Sequence, residues 1–331
     1  MPLTQLNFQP GLDTENTPTG AEGRWVDGDK IRFRKGLPQK IGGWTKFSTS
    51  YYVGVGRALE QWFALDGSRF EALGTDRKVY VFTAGNSQDI TPIRSTDALV
   101  NAFTTTTSSN ILTISDTGHG ASQGDFVTLS GTTAAVGGIS AATLNAEYEI
   151  LNISNNDAYT IQSSATASAN AGPTANCTAV YEISTGPSIQ TFGYGYGSGT
   201  WNTGTWGTPR TSSNVILDAR LWSINNWGED LILTQKDGST YEWDTSLGMS
   251  GNRATVVANA PTNSTLSIIS TETRHVVCMG TETIIGNTAS QDKMFIRWSD
   301  QENYDFWTPN VTNSAGSQRI AGGSEIRCAR P

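Results

Sequence analysis

The segment Gly120-Ala121-Ser122-Gln123-Gly124, preceded by His119, has the G-x-S-x-G spacing at which a strained turn can present a nucleophilic serine. Such an elbow needs a strand before it and a helix after it. Here the turn leads into an extended run, Asp125 to Leu129, and a histidine next in sequence rarely reaches its neighbour's hydroxyl, so the segment reads as a loop between strands. The chain has two histidines, His119 and His275, and three cysteines, Cys177, Cys278 and Cys328, with no metal-ligand spacing among them. The cysteines read as small buried hydrophobes, and His275, inside an extended run, as a structural residue. Glu229-Asp230 and Asp300 with Glu302 are acidic turn residues whose separation nothing in the sequence fixes. Ser299-Asp300-Gln301-Glu302 lacks the glycine of the Asp-box repeat. Gly193 to Gly199 is glycine-rich but offers neither a lysine nor a helix start for phosphate. Its Tyr194 and Tyr196, with Trp201 and Trp206, form a candidate stacking loop for sugars, bases or a neighbouring subunit. No catalytic, cofactor-binding or metal-binding residue emerges, and a non-enzymatic protein is expected.

The remaining concentration of chemistry is charge. Arg24 to Lys46 carries seven basic residues against Asp27 and Asp29, a net +5, which leaves −13 for the rest of a chain of net charge −8. Within it Lys30-Ile31-Arg32-Phe33-Arg34 alternates, placing Arg32 and Arg34 on one strand face and Ile31 and Phe33 on the other. Two readings compete: a charged edge strand that discourages aggregation, or a docking segment in which Arg24, Lys30, Arg32, Arg34 and Lys35 set register while Trp25, Phe33 and Trp44 anchor. An acidic body disfavours general polyanion binding. No run approaches the roughly 20 apolar residues of a membrane span, and the N-terminus has no signal-peptide pattern, so assembly in a cytoplasm is expected.

The elements that must carry these residues are strands. Charged residues make up 16% of the 331, and 35 Gly accompany 31 aromatic residues, a composition of turns and pleated sheet. Runs Arg57 to Leu65, Arg69 to Thr75 and Lys78 to Ala84, separated by Asp66-Gly67 and Asp76-Arg77, predict a meander; a helix over Ala58 to Leu73 is opposed by the Asp-Gly at its centre. The layout returns: Gly67 and Gly228, Asp76 and Asp237, Tyr80 and Tyr241, Phe82 and Trp243 are each 161 apart. A third copy places Asp292 and Trp298 55 positions after Asp237 and Trp243.

Residues 100–185 differ in texture, being rich in Ala, Ser, Thr and Asn without tryptophan, and 186–210 are a glycine and aromatic segment. Removing both reduces the repeat to roughly 50 residues, the length of a kelch-type propeller blade. The expected fold is therefore all-β: propeller-type blades, not necessarily a complete set, with an inserted small β-barrel or sandwich. Its strands are expected at Ile111 to Ile114, Asp125 to Leu129, Tyr148 to Ile153 and Ala158 to Ile161, and Asp89 to Ile93 is expected as the outer strand of the first blade. The domains are an N-terminal arm (1–46), a first blade (47–99), the insert (100–185), and the aromatic loop with further blades (186–331).

Gly23-Arg24-Trp25-Val26-Asp27-Gly28-Asp29-Lys30-Ile31-Arg32-Phe33-Arg34, continuing to Pro38-Gln39-Lys40-Ile41-Gly42-Gly43-Trp44, resembles the opening of tail nozzle (tail tubular) proteins of short-tailed bacteriophages. Asp89-Ile90-Thr91-Pro92, Gly199-Thr200-Trp201 through Trp206-Gly207-Thr208-Pro209-Arg210, Arg297-Trp298-Ser299-Asp300 through Phe306-Trp307-Thr308-Pro309, and Ala315-Gly316-Ser317 agree with it. The insert, with His119-Gly120 and Gly124-Asp125-Phe126-Val127, is similar to small β-domains of phage tail proteins. The resemblance spans about three quarters of the chain and implies a virion tail protein: a homo-oligomeric, hexameric ring below the portal and a tail adaptor, meeting tail fibre or tip proteins, and conducting viral DNA without binding it specifically. A receptor- or glycan-binding tail module is the alternative, and a secreted hydrolase using Ser122 a third. Members of this family usually run considerably longer, whereas this sequence stops at Pro331, just after an expected strand, Ser324 to Ala329; either the chain is truncated or further blades come from elsewhere.

Overall fold

The computed structural model describes residues 8–43, 45, 46, 48, 50–186 and 219–330. Trp44 and the loop bearing Tyr194, Tyr196, Trp201 and Trp206 lie outside them. The chain divides into two compact units, Met1–Thr49 and Ser50–Pro331. The described structure is almost wholly β, as the composition implies.

The first unit is small. Strands β1 (Gln9–Leu12) and β2 (Arg24–Trp25) pair in parallel, and β3 (Ile31–Arg34) and β4 (Leu37–Lys40) form a hairpin. Its turn is Lys35-Gly36, both at positive φ (51° and 82°), which is what a two-residue hairpin turn with the strands' own twist requires. Among the described residues of this unit Ala21 alone is buried.

The second unit contains three four-stranded antiparallel meanders and one larger sheet. The first meander is β5 (Gly56–Phe63), β6 (Arg69–Thr75), β7 (Val79–Thr83) and β8 (Asn86–Asp89). The expected meander forms here, with β5, a loop at Asp66-Gly67 and β6, and no helix spans 58–73. Strand β8 ends where the sequence reading placed a strand from Asp89 to Ile93. Asp89 turns the chain, its carboxylate accepting from both the backbone N–H (2.9 Å) and hydroxyl (2.6 Å) of Thr91, and Pro92 has no N–H to continue a ladder.

Ile93 instead opens β9 (Ile93–Leu99), which belongs to the inserted sheet, so that sheet begins before residue 100. The others are β10 (Phe103–Thr105), β11 (Ile111–Ser115), β12 (Phe126–Ser130), β13 (Glu147–Asn155), β14 (Ala158–Gln162), β15 (Ala171–Thr174) and β16 (Cys177–Glu182), with one helical turn, α1 (Ala141–Leu144). The order β15-β10-β11-β14-β13-β12-β16-β9 has two free edges; the sheet wraps a single core that includes Phe103, Leu112, Ile114, Leu129, Tyr159 and Tyr181.

The second meander is β17 (Trp222–Trp227), β18 (Asp230–Gln235), β19 (Thr240–Trp243) and β20 (Thr255–Val256); the third is β21 (Leu266–Ile269), β22 (Val276–Met279), β23 (Phe295–Trp298) and β24 (Gly316–Arg319). The three stack face to face in chain order, because each carries apolar residues on both faces. Trp62, Phe70, Ala72 and Val81 of the first pack on Ile224, Leu233, Tyr241 and Trp243 of the second. Trp227 and Ile232, on the second sheet's other face, meet Val276 and Cys278 of the third. The opening strands β5, β17 and β21 lie side by side in series. Among the described residues no sheet closes on itself. The expected strand Ser324 to Ala329 does not form; Ile326 makes one backbone bond, to the Lys293 carbonyl, and a strand needs a ladder.

Candidate functional site

The serine and histidine candidates both sit in one loop of the inserted sheet. Gly120 to Gly124 lies in the loop between β11 and β12, where the Asp125 carboxylate accepts from the Ser122 backbone N–H at 2.8 Å. His119 is buried, its Nδ1 accepting from the Ala121 N–H (3.0 Å) and its Nε2 facing the Asn155 carbonyl (3.1 Å), so the ring bridges two backbone groups and leaves nothing for a serine. His275 is held by the Ser299 carbonyl at 2.8 Å. Asp300 accepts from the backbone and hydroxyl of Ser314, which lowers its pKa, and Glu229 accepts from the Leu65 N–H. Asp300 thus holds the loop between β23 and β24, and Glu229 ties the second meander to the first. Cys177 and Cys278 are buried, and burial pushes both thiols up to about 11; Cys328 is exposed, contrary to the sequence reading, because no strand forms around it.

The first unit presents the basic segment. Hairpin alternation leaves Arg32 and Arg34 exposed and half-buries Ile31 and Phe33. Phe8, Trp25 and Phe33 run as a chain of rings, 5.4 Å and 6.5 Å between centroids. The Trp25 indole N–H is withdrawn from solvent and has no acceptor among the described residues. Arg24 pairs with Asp13 at 3.2 Å, Lys30 with the exposed Asp29 at 3.4 Å, and Arg32 reaches only the neutral Gln39. Lys30 and Lys35 both sit at positive φ, at the turns that bound β3. Beside these charges Leu12, Val26, Leu37 and Ile41 are exposed. Among the described residues the hairpin thus joins Arg32, which meets only the neutral Gln39, and the exposed Arg34 to apolar side chains with almost no core.

A second charged site, in the other unit, was not foreseen. Lys78 immediately precedes β7 and is 1% exposed, its ammonium contacting Asp89 (2.7 Å), Glu147 (2.5 Å) and Glu182 (3.0 Å) and standing 4.4 Å from the Phe126 ring centre. Arg253, from the loop between β19 and β20, pairs with Asp89 (2.7 Å) and Glu182 (2.8 Å). Arg77 adds a pair with Glu149 at 2.6 Å. The first sheet, the inserted sheet and the second sheet therefore meet through one ionic network. Three carboxylates this close could hold a metal, but the Lys78 ammonium already fills the point they share. Burial, then repulsion from Asp89, pushes Glu182 up to about 7, and its Oε2 has no hydrogen-bond partner among the described residues. Lys78 and Arg253 hold Asp89 below the usual carboxylate range. No local motif could show this site, since its members lie between positions 78 and 253; the one signal was a lysine following an Asp-Arg turn and preceding an apolar run.

The sequence matches no protein-family model, and no curated protein is similar to it. Among solved structures it is similar to a phage phi92 endosialidase, with 10% identity and a TM-score of 0.25, over 79% of this chain and 47% of that one. The chain thus spans about half the length of that neighbour.

Proposed function

We propose that this chain is a structural subunit of a short-tailed phage tail, a nozzle protein that assembles into a ring, six copies in the family it resembles, through which the genome leaves. The three stacked meanders are read as propeller blades and the inserted sheet as a small barrel-like module mounted on them. One observation carries the reading: the motif-bearing N-terminal segment folds as an exposed hairpin with unneutralised Arg32 and Arg34 beside Trp25 and Phe33, an arm built to bind something else. In a ring the same arm meets an acidic neighbouring surface at every interface, whether the next subunit or the adaptor above. Net charge −8 suits a conduit past which DNA slides, because a lumen lined with lysines would retain phosphate. Catalysis has no part in this reading, in which His119, Glu229 and Asp300 serve as hydrogen-bond partners within the fold.

Reconstruction of intact particles should find the chain in a ring around the tail axis, between adaptor and fibre or tip proteins. A peripheral position, with glycan binding that Trp201→Ala abolishes, would replace this reading with the receptor-binding one.

A further inference from the structure

Glu229, in the turn between β17 and β18, gathers three loops at one end of the first two meanders. Its carbonyl accepts from the Trp62 indole N–H (2.8 Å) and the Thr245 hydroxyl (2.5 Å), and its carboxylate accepts from the Leu65 backbone N–H (2.5 Å). The loops so held turn apolar side chains outward: Leu65 is 93%, Leu247 59% and Phe63 58% exposed. Carboxylates stand among them. Asp66 follows Leu65, Asp230 accepts from the Thr245 N–H at 3.1 Å, and Asp244 caps the short helical turn that ends at Leu247. Asp89, Glu147, Glu149, Glu182, Asp237 and Asp292 of the same unit pair with lysine or arginine, whereas among the described residues Asp66, Glu229, Asp230 and Asp244 do not. Burial raises the Asp230 carboxyl, and repulsion from Asp244 and Glu229 adds to it. Arg69, beside this group, lies over the Phe63 ring, 5.4 Å from its centre. The rim is therefore apolar side chains in solvent, flanked by carboxylates that lack cations.

The β3–β4 hairpin has the complementary make-up. Its register sets Arg32 opposite Gln39 and Arg34 opposite Leu37, so Arg32, Arg34 and Leu37 share one face, and Leu37 is 71% exposed. We propose that this face docks on the Glu229 rim of a second copy of the chain, Arg32 and Arg34 against Asp66 and Asp244, Leu37 against Leu65 and Leu247. Complementary charge on two exposed apolar surfaces carries the argument: the apolar contacts give affinity, and the charges fix register and reject a rim-to-rim or hairpin-to-hairpin match. The contact is heterologous, since each copy offers one hairpin and one rim, and repeated by rotation it generates a ring. It rests on the reading of the hairpin as a docking arm and names the surface that the arm meets.

Charge exchange between full-length chains tests it. Asp66→Arg with Asp244→Arg should weaken self-association by about tenfold or more at low salt, as should Arg32→Glu with Arg34→Glu. Mixing the two variant chains should restore assembly, because each hairpin then meets a rim of opposite sign on the other chain; mass photometry reads the result, and the unfolding midpoint of each chain checks its fold. Geometry is tested without touching a charge, in a Cys328→Ser background. Chains carrying Leu65→Cys mixed with chains carrying Leu37→Cys should give a short bismaleimide-linked heterodimer, and neither alone should link to itself. A mixture as dissociated as its components, or Leu65→Cys linking to its own kind, would overturn the proposal. If reversing Arg32 and Arg34 abolishes assembly while mixing rescues nothing and the two cysteines do not link, the hairpin docks elsewhere: the nozzle reading stands and this inference falls. If that reversal leaves assembly unchanged, both fall.

Discussion

Two regions of this molecule concentrate charge, and they use it in opposite ways. Around Lys78 the ammonium and Arg253 each meet more than one carboxylate, the lysine is sealed from water, and the charges join three sheets. On the β3–β4 hairpin the cations stand in solvent on a segment with almost no core. Buried ions lose several kcal/mol of hydration each and are tolerated only when fully paired, so a network like that of Lys78 fixes one arrangement. Exposed cations contribute little to their own fold, about 0–1 kcal/mol per pair, and remain available to a partner. Removing charge should therefore damage folding in the first region and association in the second.

The largest effect should come from Lys78→Met, which leaves Asp89, Glu147 and Glu182 facing one another; a loss of about 3–5 kcal/mol is expected in denaturant unfolding. Trp243→Ala should cost a similar amount, about 3–5 kcal/mol, by opening a cavity between the first and second sheets. If Lys78→Met cost no more than a surface change, the network would not be a structural joint.

The next effect is a pH dependence. The Glu182 carboxyl is raised in the fold from 4.5 to about 7, so between those values the folded chain holds a proton that the unfolded chain releases. Its contribution is complete below about pH 4.5 and is lost as pH rises through about 7. Asp89, lowered in the fold, acts in the opposite sense, and its contribution is lost as acid protonates it. Glu182→Gln removes the first titration and should flatten unfolding free energy across neutral pH; an unchanged slope would assign the dependence elsewhere. The smallest effect on folding should be that of Arg32→Glu with Arg34→Glu, within about 0.5 kcal/mol in thermal or denaturant unfolding, because both side chains are exposed.

The meanders were legible because their information is local. Asp-Gly turns and alternating apolar residues place Tyr80 with Tyr241 and Phe82 with Trp243, and in the structure these pairs occupy matching positions of β7 and β19. The inserted strands β11 to β14 were legible for the same reason. Strand β9 was not, because Ile93-Arg94-Ser95-Thr96-Asp97-Ala98 pairs along a sheet edge and buries only its last residue, Leu99. Ser324 to Ala329 alternates like a strand yet forms no ladder with any strand among the described residues. The Lys78 site was invisible because burial and partners come from chain folding across positions 78 to 253, whereas the hairpin's facing was written in five consecutive residues.

The most direct test of the claim that the hairpin docks is assembly as a function of salt. Rings formed by the wild-type chain and by the Arg32→Glu, Arg34→Glu variant should be counted by mass photometry across ionic strength, with folding of each verified in parallel. The account predicts that the variant, still folded, loses assembly most at low salt, where charge attraction is least screened. Equal assembly of both chains at every ionic strength would contradict it and leave the hairpin as a charged edge that merely keeps the chain soluble.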